Sequence, residues 1–381
     1  RIDGMTKFQG KAFHTSRWDY NVDLTGKRVG IIGTGATAVQ AVPEIAKVAS
    51  HLYVFQRTPS TIDVRDQRAT TEEEIEQWKH EPGWALARRE RLASISSGRT
   101  ALQGNDDFLS GKVQAARPQR TYDRQLSPQE LMERQLNTNF RIMEQIRARV
   151  ASIVKDPKTA EALKPYYPYG CKRPTFHDEF LPSFNLPHVT LVDTAPHGVS
   201  EINERGVVHN GVEYAVDVLI YATGFQWMGT AAFNMIVGRD GLSLRQKWSE
   251  QGVKTFLGLH SHGFPNLFIM SGPQGGGGQF NFTRGLEGHT DYVVWMLDTL
   301  AARGADVVDV KRDPEIAYAE HCKEVDIRTA PFRDCLSYYN GDGTAEPGSL
   351  AYYGGPEEWH RRRKAAQETL EPYVFEAGVR H

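Results

Sequence analysis

The chain has 381 residues, 40% of them hydrophobic and 24% charged, with a formal net charge of −2. That length suits two or three domains around a large core, and the balanced charge offers no field for nucleic acid or an anionic membrane. No run approaches the roughly 18 apolar residues of a membrane-crossing helix, and the widely spaced Cys171, Cys322 and Cys335 read as reduced thiols of a cytoplasmic protein.

Residues 8–20, FQGKAFHTSRWDY, place Phe8, Gly10, His14, Trp18 and Asp19 at regular spacings. Residues 26–59 then read as strand, Gly-rich turn, helix and strand. Val29–Ile32 is a short apolar run of the buried-strand kind. Gly33, Gly35 and Ala38 follow at the spacing G-x-G-x-x-G/A, and Ala38, Val39, Val42, Ile45 and Val48 line a helix. HLYVFQR, residues 51–57, is the second strand, which completes one βαβ unit of a doubly wound α/β sheet. In this setting the turn is a dinucleotide site rather than only a packing turn. Gly33 permits the tight turn, Gly35 lets the backbone approach a pyrophosphate, Ala38 lets the helix pack close, and the helix N-terminus offers free N–H groups. Sites for NAD end the second strand with an acidic residue. Here Gln56, Arg57 and Thr58 stand instead. A carboxylate would repel a 2′-phosphate, whereas Arg57 pairs with one bidentately and Thr58 donates to it, so NADPH is expected rather than NADH.

Residues 61–165 are rich in Glu, Arg, Gln and Lys, with helical spacing over 72–95 and 130–156 and a loop-like stretch over 96–120. They read as a helical insertion. From 166 the α/β pattern returns: strands at 188–193 and 216–225, a hairpin through 202–214, and a strand at 266–270 running into the Gly-rich 271–278. A helix over 287–305 and a tail of mixed helix and loop from 311 complete the chain. The string His260-Ser261-His262 lacks metal-site company and reads as a surface loop. Gly275–Gly278 reads either as a flexible loop or as a ligand contact.

Taken together, Phe8-x-Gly10-x-x-x-His14-x-x-x-Trp18-Asp19 resembles the signature of Baeyer–Villiger monooxygenases, flavoenzymes that insert oxygen beside a ketone carbonyl. GTGATAVQ (33–40) and FQRTP (55–59) resemble that family's NADPH site, GCKRP (170–174) its Lys-Arg pair, YATGF (221–225) its Ala-Thr-Gly strand and NLFIMSGPQ (266–274) its C-terminal flavin segment. The 170–193 run and the loop after Ser271 look most like the branch acting on macrocyclic or polycyclic ketones.

The resemblance implies two Rossmann-like dinucleotide-binding domains, the flavin domain incomplete, with a helical insertion. Residues 1–22 would be an interdomain linker carrying the signature, where His14 and Trp18 either couple the domains or only pack. Residues 23–60 and 166–224 would form the NADPH domain, 61–165 the insertion, and 225–381 the C-terminal part of the flavin domain. It implies cofactor contacts from Gly33, Thr34, Gly35, Thr37, Ala38, Gln40, Arg57, Thr58, Lys172, Thr223, Gly224, Asn281, Phe282 and Tyr338. Tyr338 stands where the family often has a Trp. The implied activity is oxidation of a bulky cyclic ketone by O2 to an ester or lactone, with FAD and NADPH, through a flavin C4a-peroxide. An anion in a dry site needs a fixed cation, and Arg does not lose its proton; the resemblance implies that Arg173 is this catalytic arginine. The alternatives are an N- or S-oxygenating flavin monooxygenase and a non-catalytic NADPH-binding fragment or subunit. A family member begins with its own flavin-binding G-x-G-x-x-G; none precedes Phe8, so the chain is expected to be the C-terminal two thirds of a longer enzyme.

Overall fold

The computed structural model describes residues 2–96, 127–225, 231–275, 282–326, 335–337 and 348–377. They divide between two units, those within Arg1–Ala85 and Gln103–Phe225 and those within Leu86–Leu102 and Gln226–His381.

In the first unit the chain runs through β1 (Lys11–His14), β2 (Arg28–Ile32), helix α1 (Ala36–Ala46), β3 (His51–Gln56), the two-residue β4 (Ile62–Asp63) and β5 (Thr175–Phe176), and β6 (Val189–Asp193). An antiparallel trio follows, β7 (Glu201–Ile202), β8 (Gly206–His209) and β9 (Val212–Ala215), and then β10 (Val218–Tyr221). The main sheet has the order β1-β10-β2-β3-β6, parallel throughout. Parallel strands covered on both faces carry continuous apolar runs. Val29, Ile31, Val54 and Ile220 pack on one face against Val39, Val42 and Ile45 of α1. Ile32, Phe55, Leu219 and Tyr221 pack on the other with Val207 and Val216. Within residues 1–22, expected as a linker, Lys11–His14 is the edge strand of this sheet, in register with Val218–Tyr221.

Of the expected insertion, Glu72–Lys79, Trp84–Ser96, Pro128–Ile153 and Pro157–Ala162 are helical. Capping boxes start two of them, Thr71 with Glu74 and Ser127 with Glu130. The expected loop lies outside the described residues beyond Ser96.

The second unit holds helix Phe282–Arg303, β11 (Val307–Val310), helix Arg312–Glu324, helix Pro356–Thr369 and β12 (Tyr373–Glu376), with β11 and β12 antiparallel. Its core gathers Tyr292, Met296, Val308, Val310, Tyr318, Tyr352 and Trp359. Four expectations need correction here. Residues 266–270 form no strand: Asn266 and Ser271 take positive φ of 56° and 54°, and Ile269 N–H reaches Leu259 O at 2.7 Å instead of joining a ladder. The tail is not only helix and loop, because it supplies β12. The stretch 260–262 is no surface loop. His260 is 2% exposed and 2.8 Å from the Tyr292 hydroxyl, and burial pushes its pKa down to about 3. Finally, the reduced-thiol reading holds for buried Cys322 and not for Cys171 or Cys335. Among the described residues no helix is long and apolar enough to cross a membrane.

Candidate cofactor site

β2 delivers the glycine turn. Gly33 N–H donates to Phe55 O at 2.9 Å, which ties the turn to β3. Gly33 has φ +112°, and a Cβ there would lie 2.4 Å from Ala222 O, so only glycine lets this turn pass the end of β10. Gly35 is the N-cap of α1, no side chain caps the helix, and a Cβ on Gly35 would meet nothing within 4 Å. The first-turn N–H groups therefore face ligand or water rather than protein. This is also where the strand order reverses: β3 and β6 lie on one side of β2 and β10 on the other. Crevices at the carboxyl ends of strands at such a point are where open α/β sheets bind ligands.

Gly33→Ala is expected to cost at least about 1–3 kcal/mol from backbone strain alone and to abolish dinucleotide binding, as read by urea unfolding and by calorimetry.

The other residues of the turn have distinct tasks. Thr34 is 3% exposed; its hydroxyl donates to Thr58 O at 2.9 Å, and its own carbonyl accepts from Ser60 Oγ at 2.6 Å. It clamps the turn to the chain leaving β3 and has no hydroxyl proton left for a ligand. Gln40 spends its amide on Ala36 O. Ala38 is fully buried under the helix, and Thr37 is exposed. Arg57 is exposed at the end of β3, with no hydrogen bond or ion pair to any described residue; Thr58 beside it is half-buried. A guanidinium left unpaired at this point can receive a phosphate.

Lys172 and Arg173 sit on a segment stapled to the same exit from β3. Tyr167 donates its hydroxyl to Pro59 O at 2.9 Å, Thr175 N–H reaches Thr61 O at 3.1 Å, and β5 pairs with β4. From the helical side, Asn139 exchanges two hydrogen bonds of 2.9 Å with the backbone of Tyr169. The Lys172 ammonium lies 5.5 Å from the centre of the Tyr167 ring. Arg173 is exposed, with no partner among the described residues.

The signature residues build the sheet edge. Gly10 is a steric necessity, since a Cβ there would meet Phe8 Cζ at 2.5 Å and Asp217 O at 2.6 Å. That close approach lets Lys11 N–H bond Asp217 O and start β1 beside β10. Phe8 packs on the face lined by Leu219 and Tyr221. Trp18 meets Phe13 edge-on at 5.1 Å against the opposite core, and Asp19 holds the next turn by accepting from Asn21 N–H. His14 ends β1 with its Nδ1 accepting from Ser16 N–H at 3.1 Å, which leaves the ring proton of the neutral form on Nε2, and its ring lies 5.6 Å from that of Phe225.

Thr223 and Gly224, just past β10, are exposed, and Gly224 has φ +86°. Phe282 opens its helix 57% exposed. Asn281, Tyr338 and Gly276–Gly278 lie outside the described residues. Sequence reasoning missed Ser60, Asn139 and Tyr167, which hold the site's segments, and Gln274. Gln274 is 1% exposed; its carbonyl oxygen accepts from Thr255 N–H and its amide donates to Gly348 O, which anchors the start of the Gly-rich loop. These residues act through contacts far along the chain and leave no local pattern.

No family model matches the chain. A Baeyer–Villiger monooxygenase of Stachybotrys chlorohalonatus, ATR8, is 40% identical over 374 residues, which are 93% of this chain and 59% of that protein. Neopentalenolactone D synthase of Streptomyces avermitilis is 39% identical over 380 residues, 93% of this chain and 62% of that one. Among solved structures, a polycyclic ketone monooxygenase from Thermothelomyces thermophila is similar with a TM-score of 0.84 at 35% identity, over 99% of this chain and 65% of that chain. Steroid monooxygenase bound to NADP is similar with a TM-score of 0.79 at 27% identity, over 99% and 72%. The chain spans about three fifths of the length of the curated relatives it matches. Along that stretch, the chain is similar to proteins named Baeyer–Villiger monooxygenase.

Proposed function

We propose that this chain carries the NADPH-binding machinery and the catalytic arginine of an enzyme that uses FAD, NADPH and O2 to convert a bulky cyclic ketone to an ester or lactone. The observation that carries the reading is the uncapped α1 at the strand-order reversal, with Arg57 unpaired at the neighbouring strand end. The residues fit NADPH: Gly35 leaves the space a pyrophosphate needs, and Arg57 brings charge without an internal partner to release. Thr58, Lys172, Thr37 and the Thr223–Gly224 turn are the further contacts, with 23–60 and 166–224 as the NADPH domain and 225–381 contributing to flavin binding. Asn281, Phe282 and Tyr338 are proposed to reach flavin, nicotinamide or substrate.

Bound flavin supplies the activation of oxygen and NADPH the electrons. The protein's part is to bind, orient and hold charge. The N–H groups of α1 take the pyrophosphate, and Arg57 takes the 2′-phosphate. Lys172, a compact point charge, suits a phosphate. Arg173 would place its guanidinium where negative charge develops on oxygen as the ketone is attacked. The family likeness of the solved polycyclic ketone and steroid enzymes supports a bulky ring as substrate.

Arg57→Ala tests the cofactor half. It removes one charge-assisted contact, about 1.5–3 kcal/mol, so NADPH affinity is expected to fall about ten- to hundredfold with NADH little changed. Calorimetric titration of both cofactors checks it, and equal weakening of the two would remove Arg57 from the 2′-phosphate.

A further inference from the structure

β6 runs beside β3 with Asp193 opposite Gln56. One residue on, Thr194 donates both its N–H, at 2.7 Å, and its hydroxyl, at 2.8 Å, to the carbonyl of Gln56, the residue directly ahead of Arg57. Thr194 is 1% exposed, so water does not compete for this double bond. Gly198 N–H then returns to Thr194 O at 2.7 Å and closes a turn. Gly198 has φ +90°, and a Cβ built on it would lie 3.6 Å from Arg57 Cδ and 3.9 Å from Arg57 Cγ. The aliphatic stem of Arg57 therefore rests alongside bare backbone, on a turn pinned to its own neighbour.

We infer that the turn Thr194–Gly198, through Gly198, is a positioning element that sets the preference for NADPH over NADH by holding the Arg57 stem in place. The inference rests on the reading of Arg57 as the 2′-phosphate contact. A long side chain loses rotamer freedom when it binds, and that loss subtracts from affinity. Packing the stem beforehand removes part of it, as for other long charged side chains that lay their methylenes along a surface. NADH, without the phosphate, gains nothing from it. The turn thus governs selectivity and leaves dinucleotide binding in general untouched.

The test is calorimetric titration of NADP+ and NAD+ against the chain and its variants. Gly198→Ala, at a φ that side chains rarely adopt, is expected to shift the turn and weaken NADP+ about fivefold or more, with NAD+ changed by less than about twofold. Thr194→Val, which removes the hydroxyl bond to Gln56 O, is expected to act the same way, and Thr194→Ser to restore the wild-type ratio. In an Arg57→Ala background Gly198→Ala should add nothing, because the two act through one contact. Equal weakening of both cofactors by Gly198→Ala and Thr194→Val, or a Gly198→Ala effect undiminished without Arg57, overturns the inference. A different outcome, Arg57→Ala alone weakening NADP+ and NAD+ equally, strikes the reading of Arg57 itself. Should Gly198→Ala not fold, the Thr194 pair carries the test by itself.

Discussion

Arg173→Ala, in the enzyme carrying a complete flavin site, is expected to abolish ester or lactone formation while NADPH is still oxidised. The electrons then leave with O2 as hydrogen peroxide, one for each NADPH consumed. The reason lies in where Arg173 sits. Its segment is fixed by Tyr167 to Pro59, by Thr175 to Thr61 and by Tyr169 to Asn139, yet its guanidinium engages no described residue. A rigid mount under an unspent cation is the arrangement that stabilises charge developing on a reactant, since no internal partner has to be released first. Removing such a group from a charge-stabilising site costs about a hundred- to a thousandfold in turnover. Lysine is expected to rescue poorly, because it lacks the planar fork and loses its proton more readily in a dry site. NADPH consumed, peroxide released and ester formed, measured together for wild type, Arg173→Ala and Arg173→Lys, decide the matter. Coupled ester formation near the wild-type yield in Arg173→Ala would take Arg173 out of the chemistry.

The second large effect is on stability, in the second unit. Lys247 and Glu315 form a buried ion pair, with side chains 9% and 2% exposed. The Lys247 ammonium donates to Ser261 Oγ, His262 O and both oxygens of Glu315, at 2.8–3.1 Å. Glu315 also accepts from Ser261 Oγ and His262 N–H. Burial draws the Lys247 pKa below that of an ordinary lysine, and the carboxylate works against that pull. Glu315→Ala strands the ammonium and Lys247→Ala strands the carboxylate. Either is expected to cost about 3–5 kcal/mol, because an unpaired charge stays buried. Lys247→Met with Glu315→Leu, which removes both charges and keeps much of the volume, should recover most of the loss. Denaturant midpoints for the two single variants and the double variant read this directly. A double variant as unstable as the sum of the singles would mean that the cluster's hydrogen bonds, rather than its charges, hold the stretch 260–262.

The βαβ unit was legible because everything that makes it is local. Gly33, Gly35 and Ala38 are spaced by the turn they form, and Val39, Val42 and Ile45 by the helix they line. The helical spacing over 72–95 and 130–156 was legible for the same reason. What escaped notice depends on partners far away in the chain. Lys-Ala-Phe-His has no β-branched residue and becomes a strand only because β10 lies beside it. Asn-Leu-Phe-Ile-Met has strand composition and forms none, since Asn266 and Ser271 bend the backbone at both ends. His260 and His262 read as surface residues until Tyr292 and Val310 are set against them. At the site, residue types named candidate cofactor contacts. They counted Thr34 among them, although its hydroxyl is turned inward to Thr58, and were silent on Gly198, whose importance is a distance to Arg57.

The position of β10 has a consequence for how the protein is made. Its neighbours β1 and β2 end by Ile32, while β10 starts at Val218. A ribosome adds about 5–20 residues each second, so both flanking strands wait about 10–40 seconds for the strand that belongs between them. During that interval β2 and β3 can pair with α1 against them, but the edges of β1 and β2 that will face β10 keep their backbone N–H and C=O groups open. An open edge invites pairing with another chain. The glycine turn, which Gly33 fits against Ala222, is likewise unfinished until the end of β10 arrives. Every molecule of this protein therefore passes through an interval of its synthesis with a gap in the middle of its sheet. Soluble yield should respond more sharply to slow translation, or to loss of chaperone cover, before residue 221 than after it.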